Sequence, residues 1–448
     1  MKNDDLSTDN INKLIAKYAI PSIIGFVVLG IYIIVDGIFL GNFVGPEAIA
    51  AVTVAIPYCF VMTGFAIMFG IGASAHISMK LGAKKKEEAE KILKTVVYMI
   101  VIGGIILTVL GLTLIKPLLV QFGITGNLLE YSYTYLQVSY LACVFIMIRV
   151  GLDPVIRNDG FPKKAMFTVV LGAILNIVFD AIFIVFFGWG VFGAALASIT
   201  GETFGALVYL HHFLGGKSNL KLDLSSKFED LKSELEIVKN IIAVGISPFI
   251  LELSASVVMV LHTIQFLKYG SPLEVSAYGI VSYLFALVML VYMGLCNGVQ
   301  PLISYNYGAK EYSRVKEILK KTGILTAIIG LVSFVTLSVF PKIPIMLFNK
   351  TDLTLISSTV FGLKYFAYGL SVFGLGFLII TYFQSTGKSK ISNFLSLSRT
   401  AIFLVPLLVI LPMYFGITGI WVSQPLAEVL TLLCGLIFIK SDFKKEIL

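Results

Sequence analysis

Charge is what this 448-residue chain has least of: 13% of its residues are charged, against 57% hydrophobic. A soluble protein of this length carries about a quarter charged residues, so the composition excludes a soluble globular class and indicates a polytopic membrane protein. Cysteine is scarce. Cys59, Cys143, Cys296 and Cys434 all lie in apolar runs and form no Cys-x-x-Cys pair, which indicates neither a metal site nor a disulfide framework. The four histidines, His76, His211, His212 and His262, show no metal-ligand spacing. There is no phosphate loop and no His-Glu-x-x-His. With no ATP-hydrolysing domain, the energy source left for a transporter is an ion gradient, and no cofactor is expected. The first ten residues lack a basic segment and a small-residue cleavage site, so the first apolar run reads as a retained span rather than a removable signal.

What the chain does have is long apolar runs. Stretches of roughly 20 or more apolar residues mark membrane helices, and twelve are predicted, at 13–41, 48–79, 89–116, 128–156, 164–187, 191–214, 238–268, 275–305, 315–341, 354–384, 391–412 and 417–440. Lysine and arginine gather in alternate joints: Lys80, Lys84, Lys85, Lys86, Lys91 and Lys94; then Arg157, Lys163 and Lys164; then Lys217, Lys221, Lys227, Lys232 and Lys239; then Lys310, Arg314, Lys316, Lys320 and Lys321; then Lys388 and Lys390. The other joints hold only Lys116, Lys268, Lys342 and Lys350. Positive charge marks the cytoplasmic side. Both termini are therefore expected in the cytoplasm of a cell bounded by this inner membrane. The net charge of +8 reads as membrane orientation, not nucleic-acid binding.

The chain repeats itself at an offset of 226 to 227 residues. Gly82-Ala83-Lys84 answers Gly308-Ala309-Lys310, Pro21 answers Pro248, Glu47 answers Glu274, and Glu202 answers Glu428. The expected architecture is an all-α polytopic membrane protein whose twelve transmembrane helices form two six-helix parallel repeats. The lobes are residues 1–214 and 238–448, joined by a cytoplasmic linker at 215–237. Phe228, Leu231 and Leu235 in that linker fall at helical spacing, so it is either a short helix on the cytoplasmic surface or a solvated loop.

Acids are rare inside the spans, and an intramembrane acid reads as functional by default. Asp36 lies nine residues before Gly45, Asp180 nine before Trp189, and Ser198 nine after Trp189. At a rise of 1.5 Å per residue all three sit roughly 13 Å below the outer surface. Asn176 shares a helix face with Asp180, one turn deeper. Two carboxylates, an amide oxygen and a hydroxyl at one depth suit a hard cation such as Na+. They can instead carry a proton, because burial and a like neighbour both disfavour the ionised form. The alternative for each aspartate is neutralisation by a basic partner. The deep base of the first half is Arg149, which has Asp153 one turn on. Glu202 and Glu428 read as structural bonding groups. In the second half the counterparts of Asp36, Asn176 and Asp180 are Thr263, Phe403 and Leu407, so any coupling site is one-sided. Glu252 is the remaining deep acid there. It either faces a cytoplasmic vestibule or, with Tyr32, Met289 and Met293, contacts a cationic substrate, given the aptness of aromatics for cations and of methionine for varied ligands.

Three features together resemble the multidrug and toxic compound extrusion (MATE) antiporters, and most closely their bacterial MepA-like and DinF-like branches. They are the two six-helix repeats, the stretch Gly298-Val299-Gln300-Pro301-Leu302-Ile303-Ser304-Tyr305-Asn306-Tyr307-Gly308-Ala309 with its degenerate partner Gly72 to Ala83, and the aspartates of spans one and five. The resemblance spans essentially the whole chain. It implies V-shaped lobes around a central cavity and export of amphipathic, mainly cationic small organic molecules in exchange for Na+ or H+, without ATP. It also implies a first-lobe cation site matching Asp36, Asn176, Asp180 and a threonine, whose place Ser198 takes here, with Thr200 two residues on. The acid that some branches use in span ten has no counterpart. The wider group includes flippases for lipid-linked or saccharide precursors, which is the alternative function. No span pairs a nucleophile with a base, so an enzyme is not expected.

Overall fold

Helices begin where the sequence caps them. In the computed structural model, which describes residues 5–216, 218–225, 230–346 and 352–445, α1 (Ile11–Phe43) starts at Asn10, whose side chain accepts from the Asn12 amide. Gly45, at φ 122°, and Pro46 turn the chain into α2 (Pro46–Gly82). Then come α3 (Lys86–Gln121) and α4, made of Gly126–Leu141 and Cys143–Asn158 bent by 63°. Next are α5 (Pro162–Asp180), extended by a π-helical turn over Ala181–Phe186, and α6 (Gly190–Leu214). The second half holds α7 (Leu231–Tyr269), capped by Asp230, and α8 (Pro272–Gly308), opened by a Ser271–Glu274 capping box. It continues with α9 (Tyr312–Val339) and α10 (Leu353–Ser385), capped by Asp352.

The last helical stretch, Ser389–Lys444, runs 56 residues. At 1.5 Å per residue it would be nearly three hydrocarbon cores long. It is broken at Gly416, whose φ of 53° and ψ of −136° no helix contains. We therefore describe it as α11 (389–415), which includes a π-helical segment at Ser398–Leu404, and α12 (417–444) beyond the break. Ten described helices are long and apolar enough to cross a membrane, and the bent α4 makes an eleventh. The Gly416 break supplies the twelfth. The outward faces of α3 and α9 are apolar and exposed, at Ile102, Ile105, Ile106 and Val109, and at Ile324, Ile328, Leu331 and Val332, as a lipid-facing surface requires.

The linker has no helix of its own among the described residues. Leu231 and Leu235 belong to the first turns of α7, which starts earlier than the predicted span because Asp230 caps it. Phe228, Lys217, Lys227 and Lys350 lie outside the described residues. Residues 218–220 are fastened by the fully buried Asp159, which accepts from His212 Nε2 (2.7 Å), Ser218 Oγ (2.9 Å) and the amides of Asn219 (3.2 Å) and Leu220 (2.9 Å).

The two halves meet along α1, α2, α7 and α8. Among the described glycines, backbone approaches backbone across the seam from the middle of these helices to their lysine-rich ends. A Cβ on Gly72, Gly82, Gly245 or Gly308 would run into the backbone of Ile241, Tyr305, Met68 or Met79 respectively. One on Gly298 would lie 2.6 Å from Ala19 Cα, and one on Gly294 2.5 Å from Ile23 Cα. Ser78 Oγ donates across the seam to the Pro301 carbonyl (3.0 Å), and Ser74 Oγ to Gln300 Oε1 (3.2 Å). Asn306 and Arg314 hold the N-terminal segment through the carbonyls of Leu6 and Asp9. Farther from the lysines the halves meet through side chains, Phe65 on Phe249 with ring centroids 5.0 Å apart and Thr63 donating to Glu252 at 3.1 Å. The seam is closed at the lysine-rich end.

A candidate cation site in the first lobe

Asp36 of α1 and Asn176 and Asp180 of α5 come together with Ser198 of α6. Asn176 Nδ2 donates to Ser198 Oγ at 3.3 Å, and Asp36 lies within electrostatic reach of Asp180. The three acidic and amide side chains are buried, Asp180 completely. Helical period places them: Asn176 and Asp180 are one turn apart on the same face, and α5 packs against both α1 and α6. Directly after Asp180 the helix widens into its π-helical turn, a distortion frequent at functional sites.

The decisive feature is what these atoms do not touch. Of eleven buried side-chain polar atoms with no hydrogen-bond partner among the described residues, four are Asp36 Oδ1, Asn176 Oδ1 and both oxygens of Asp180. Buried oxygens are ordinarily satisfied. Two ionised carboxylates left so would each cost several kcal/mol. The cluster therefore calls for positive charge, as a bound cation or as protons. Its donor set of carboxylate, amide and hydroxyl oxygens fits a hard monovalent cation. No group of three or more His, Cys, Asp or Glu able to hold a metal occurs among the described residues.

Of the two candidate hydroxyls, that of Ser198 is the one bonded within the cluster. Thr200 Oγ1 donates to its own helix at the Leu196 carbonyl (2.8 Å). The structure also adds a residue that the sequence did not flag. Tyr135 of α4 lies beside Ser198 and within electrostatic reach of Asp36. Only packing of α4 against α6 reveals it, since one tyrosine among twenty carries no pattern of its own.

The basic residues are arranged differently from expectation. Arg149 does not pair with Asp153. Its guanidinium makes a two-pronged ion pair with Glu202 of α6, while Asp153 is held by Arg157 and by the Tyr209 hydroxyl (2.8 Å). The i,i+4 rule offers a partner, and a glutamate on the neighbouring helix wins it. The second lobe matches the glutamate but not the arginine. Glu428 binds Arg399 of α11 (2.8 Å) and Gln424 (2.6 Å). Both glutamates thus bond structurally, as read from their repeat positions.

A family model described as MatE matches residues 21–182 and 248–410. The chain belongs to the MatE family. The two matched segments begin 227 residues apart, one in each half. Among its relatives are the multidrug export proteins MepA of Staphylococcus aureus strain N315 (27% identity over 95% of this chain and 93% of that one) and of Staphylococcus saprophyticus (27% over 98% and 96%). Among solved structures, an outward-facing multidrug resistance MATE family transporter superposes with a TM-score of 0.93 at 23% identity, covering 100% of this chain and 99% of that one. A MOP superfamily transporter from Pyrococcus furiosus does so with the same figures. A MATE in the bent conformation gives 0.91 at 24%, covering 100% of both chains.

Within this MatE fold the four residues considered for substrate part company. Tyr32 is inside the first lobe, lining a cavity with Asn176 and Ser198. Glu252 is at the lobe junction, bonded to Thr63. Met289 and Met293 are half-buried on α8. The second-lobe counterparts of the cation site form no polar cluster. Thr263 back-bonds to the Met259 carbonyl (2.9 Å), and Phe403 and Leu407 are apolar.

Proposed function

We propose that this protein is a cation-coupled exporter of amphipathic, mainly cationic small molecules. The cluster of unpartnered buried oxygens at Asp36, Asn176 and Asp180 carries the reading, because it demands a positive guest and no side chain supplies one. The MepA relatives, multidrug export proteins by name, support the choice of substrate class. The lysine-rich joints then face the cytoplasm of the inner membrane, as do both termini. The closed seam at that end makes this an outward-facing arrangement. Na+ or H+ entering from outside binds the first lobe, and drug leaves from the cleft between lobes. The ion need only favour one arrangement of the lobes over the other to drive the cycle. Ser198 serves as hydroxyl ligand, Tyr135 orients it, and Glu252, Met289 and Met293 border the drug cleft.

A flippase for a lipid-linked or saccharide precursor would need cationic side chains free to hold phosphate. Arg149 and Arg399 are both committed to glutamates, which disfavours that reading. The test is efflux of a fluorescent organic cation from reconstituted vesicles, under an imposed Na+ gradient and, separately, an imposed pH gradient. Asp36→Asn and Asp180→Asn should abolish gradient-driven export while the protein still inserts. Full activity in both variants would refute the coupling site.

A further inference from the structure

Inward of the carboxylates, Asn176 and Ser198 of the cation site share a column of side chains with Tyr32, Thr168, Arg149 and Glu202 within the first lobe. Each helix continues it toward the lysine-rich end, by one turn from Asp36 to Tyr32 on α1 and from Ser198 to Glu202 on α6, and by two from Asn176 through Gly172 to Thr168 on α5. Between them lies a narrow cavity of about 20 Å³, enough for one water-sized guest. Its far wall is the Arg149–Glu202 pair. Beyond that pair come Tyr209, Asp153 and Arg157, the last donating to Ser22 at 3.1 Å. Such a column is a ready leak path for the coupling ion.

The geometry points to Arg149, held in place by Glu202, as the inner barrier of this path: it keeps an ion at Asp36 and Asp180 from passing through the lobe to the lysine-rich side. Two properties of arginine fit the task. A fixed guanidinium repels cations, as arginines do in selective pores. It also stays protonated under all ordinary conditions, so a proton relay that reaches it ends there. Glu202 neutralises its burial cost and fixes its plane by the two-pronged contact. Gly205 makes room for it, since a Cβ there would lie 2.6 Å from Arg149 Cγ. The second-lobe pair Arg399–Glu428 has no cluster of unpartnered carboxylate oxygens beside it among the described residues, so it guards no ion.

The inference rests on the coupling site proposed above, and its test is separable from that reading. The double variant Arg149→Gln/Glu202→Gln replaces the ion pair by two amides and leaves no unpaired charge. In vesicles without drug, under an imposed Na+ or pH gradient, it should raise passive ion flux about tenfold or more, taking an opened barrier as worth at least ~1.4 kcal/mol. Adding Asp36→Asn should return the flux to the wild-type level. The matched change Arg399→Gln/Glu428→Gln should leave it unchanged. Gly205→Ala, which only displaces the Arg149 side chain, should give a smaller rise and serves if the double variant does not fold. Wild-type flux in both folded first-lobe variants overturns the barrier, as does an equal rise from the second-lobe change, or a leak that persists with Asp36→Asn. If instead Asp36→Asn exports drug normally while the leak behaves as stated, the coupling reading fails and the barrier stands.

Discussion

Gly298 sits where α8 lies directly on α1, with the Cβ of any replacement 2.6 Å from Ala19 Cα, 2.9 Å from the Tyr18 carbonyl oxygen and 3.0 Å from the Ala19 amide nitrogen. All three atoms are backbone, so no rotamer change relieves the clash. Carbon atoms rest about 3.5–4.0 Å apart, and Gly298→Ala therefore requires the two helices to part by about 1 Å at this point. Overpacking of that kind costs ~1–3 kcal/mol. The cost falls only on the arrangement in which the lysine-rich ends are closed, because in the opposite arrangement the seam is apart. The population ratio should shift toward that opposite arrangement by about 5–150-fold. Ser78, buried at the seam and bonded to the Pro301 carbonyl, is a suitable reporter. With the native cysteines replaced, Ser78→Cys in inverted vesicles should react with an impermeant maleimide faster by that factor when Gly298→Ala is present. Gly25→Ala is the control. It lies on α1, meets nothing within 4 Å, and gains the same helix propensity. Equal labelling rates for the Gly298→Ala and Gly25→Ala proteins would refute the argument that backbone contact at this seam sets the resting arrangement.

Other residues give independent tests. Glu428→Gln leaves Arg399 buried without its counter-charge and should destabilise the protein by ~3–5 kcal/mol, seen as an earlier thermal transition in detergent; a companion Arg399→Met should recover most of the loss. Asp159→Ala removes the acceptor of the His212, Ser218, Asn219 and Leu220 bonds. At ~1.5–3 kcal/mol for each bond to a charged group, local opening of 218–225 should rise by at least tenfold, read as faster limited proteolysis there with the helices intact. Tyr135→Phe removes a hydroxyl beside Ser198 and Asp36, and the loss of one polar neighbour there is worth ~0.5–1.5 kcal/mol. It should raise the ion concentration for half-maximal drug export about two- to tenfold without changing drug affinity in the absence of a gradient.

The helices and the repeat were legible because hydropathy and charge act along the chain. A run such as Ile102 to Leu114 in α3 has to face lipid whatever its neighbours do. The depth count reached Asp36, Asn176, Asp180 and Ser198, which the fold brings together, because a helix converts residue number into height. What a helix does not convert is which neighbour it will face. Arg149 had Asp153 one turn away and took Glu202 instead, and Tyr135 joined Ser198 from a helix bent by 63° at a point where no proline or glycine announces it. The same limit explains the repeat. Glu202 and Glu428 are matched in sequence, yet their arginines come from α4 in one lobe and α11 in the other, so duplication preserved the need for a buried counter-charge and not the residue that meets it. The lobe with its arginine on α4 is the one in which that arginine shares a cavity wall with Asn176 and Ser198 of the candidate cation site. In the other, Arg399 lies over the Phe373 ring, 4.4 Å from its centroid, away from any such cluster among the described residues. On the proposed reading one lobe carries the ion chemistry and the other offers a similarly clamped body against which it can move, an asymmetry that a repeat alignment reports only as a missing aspartate.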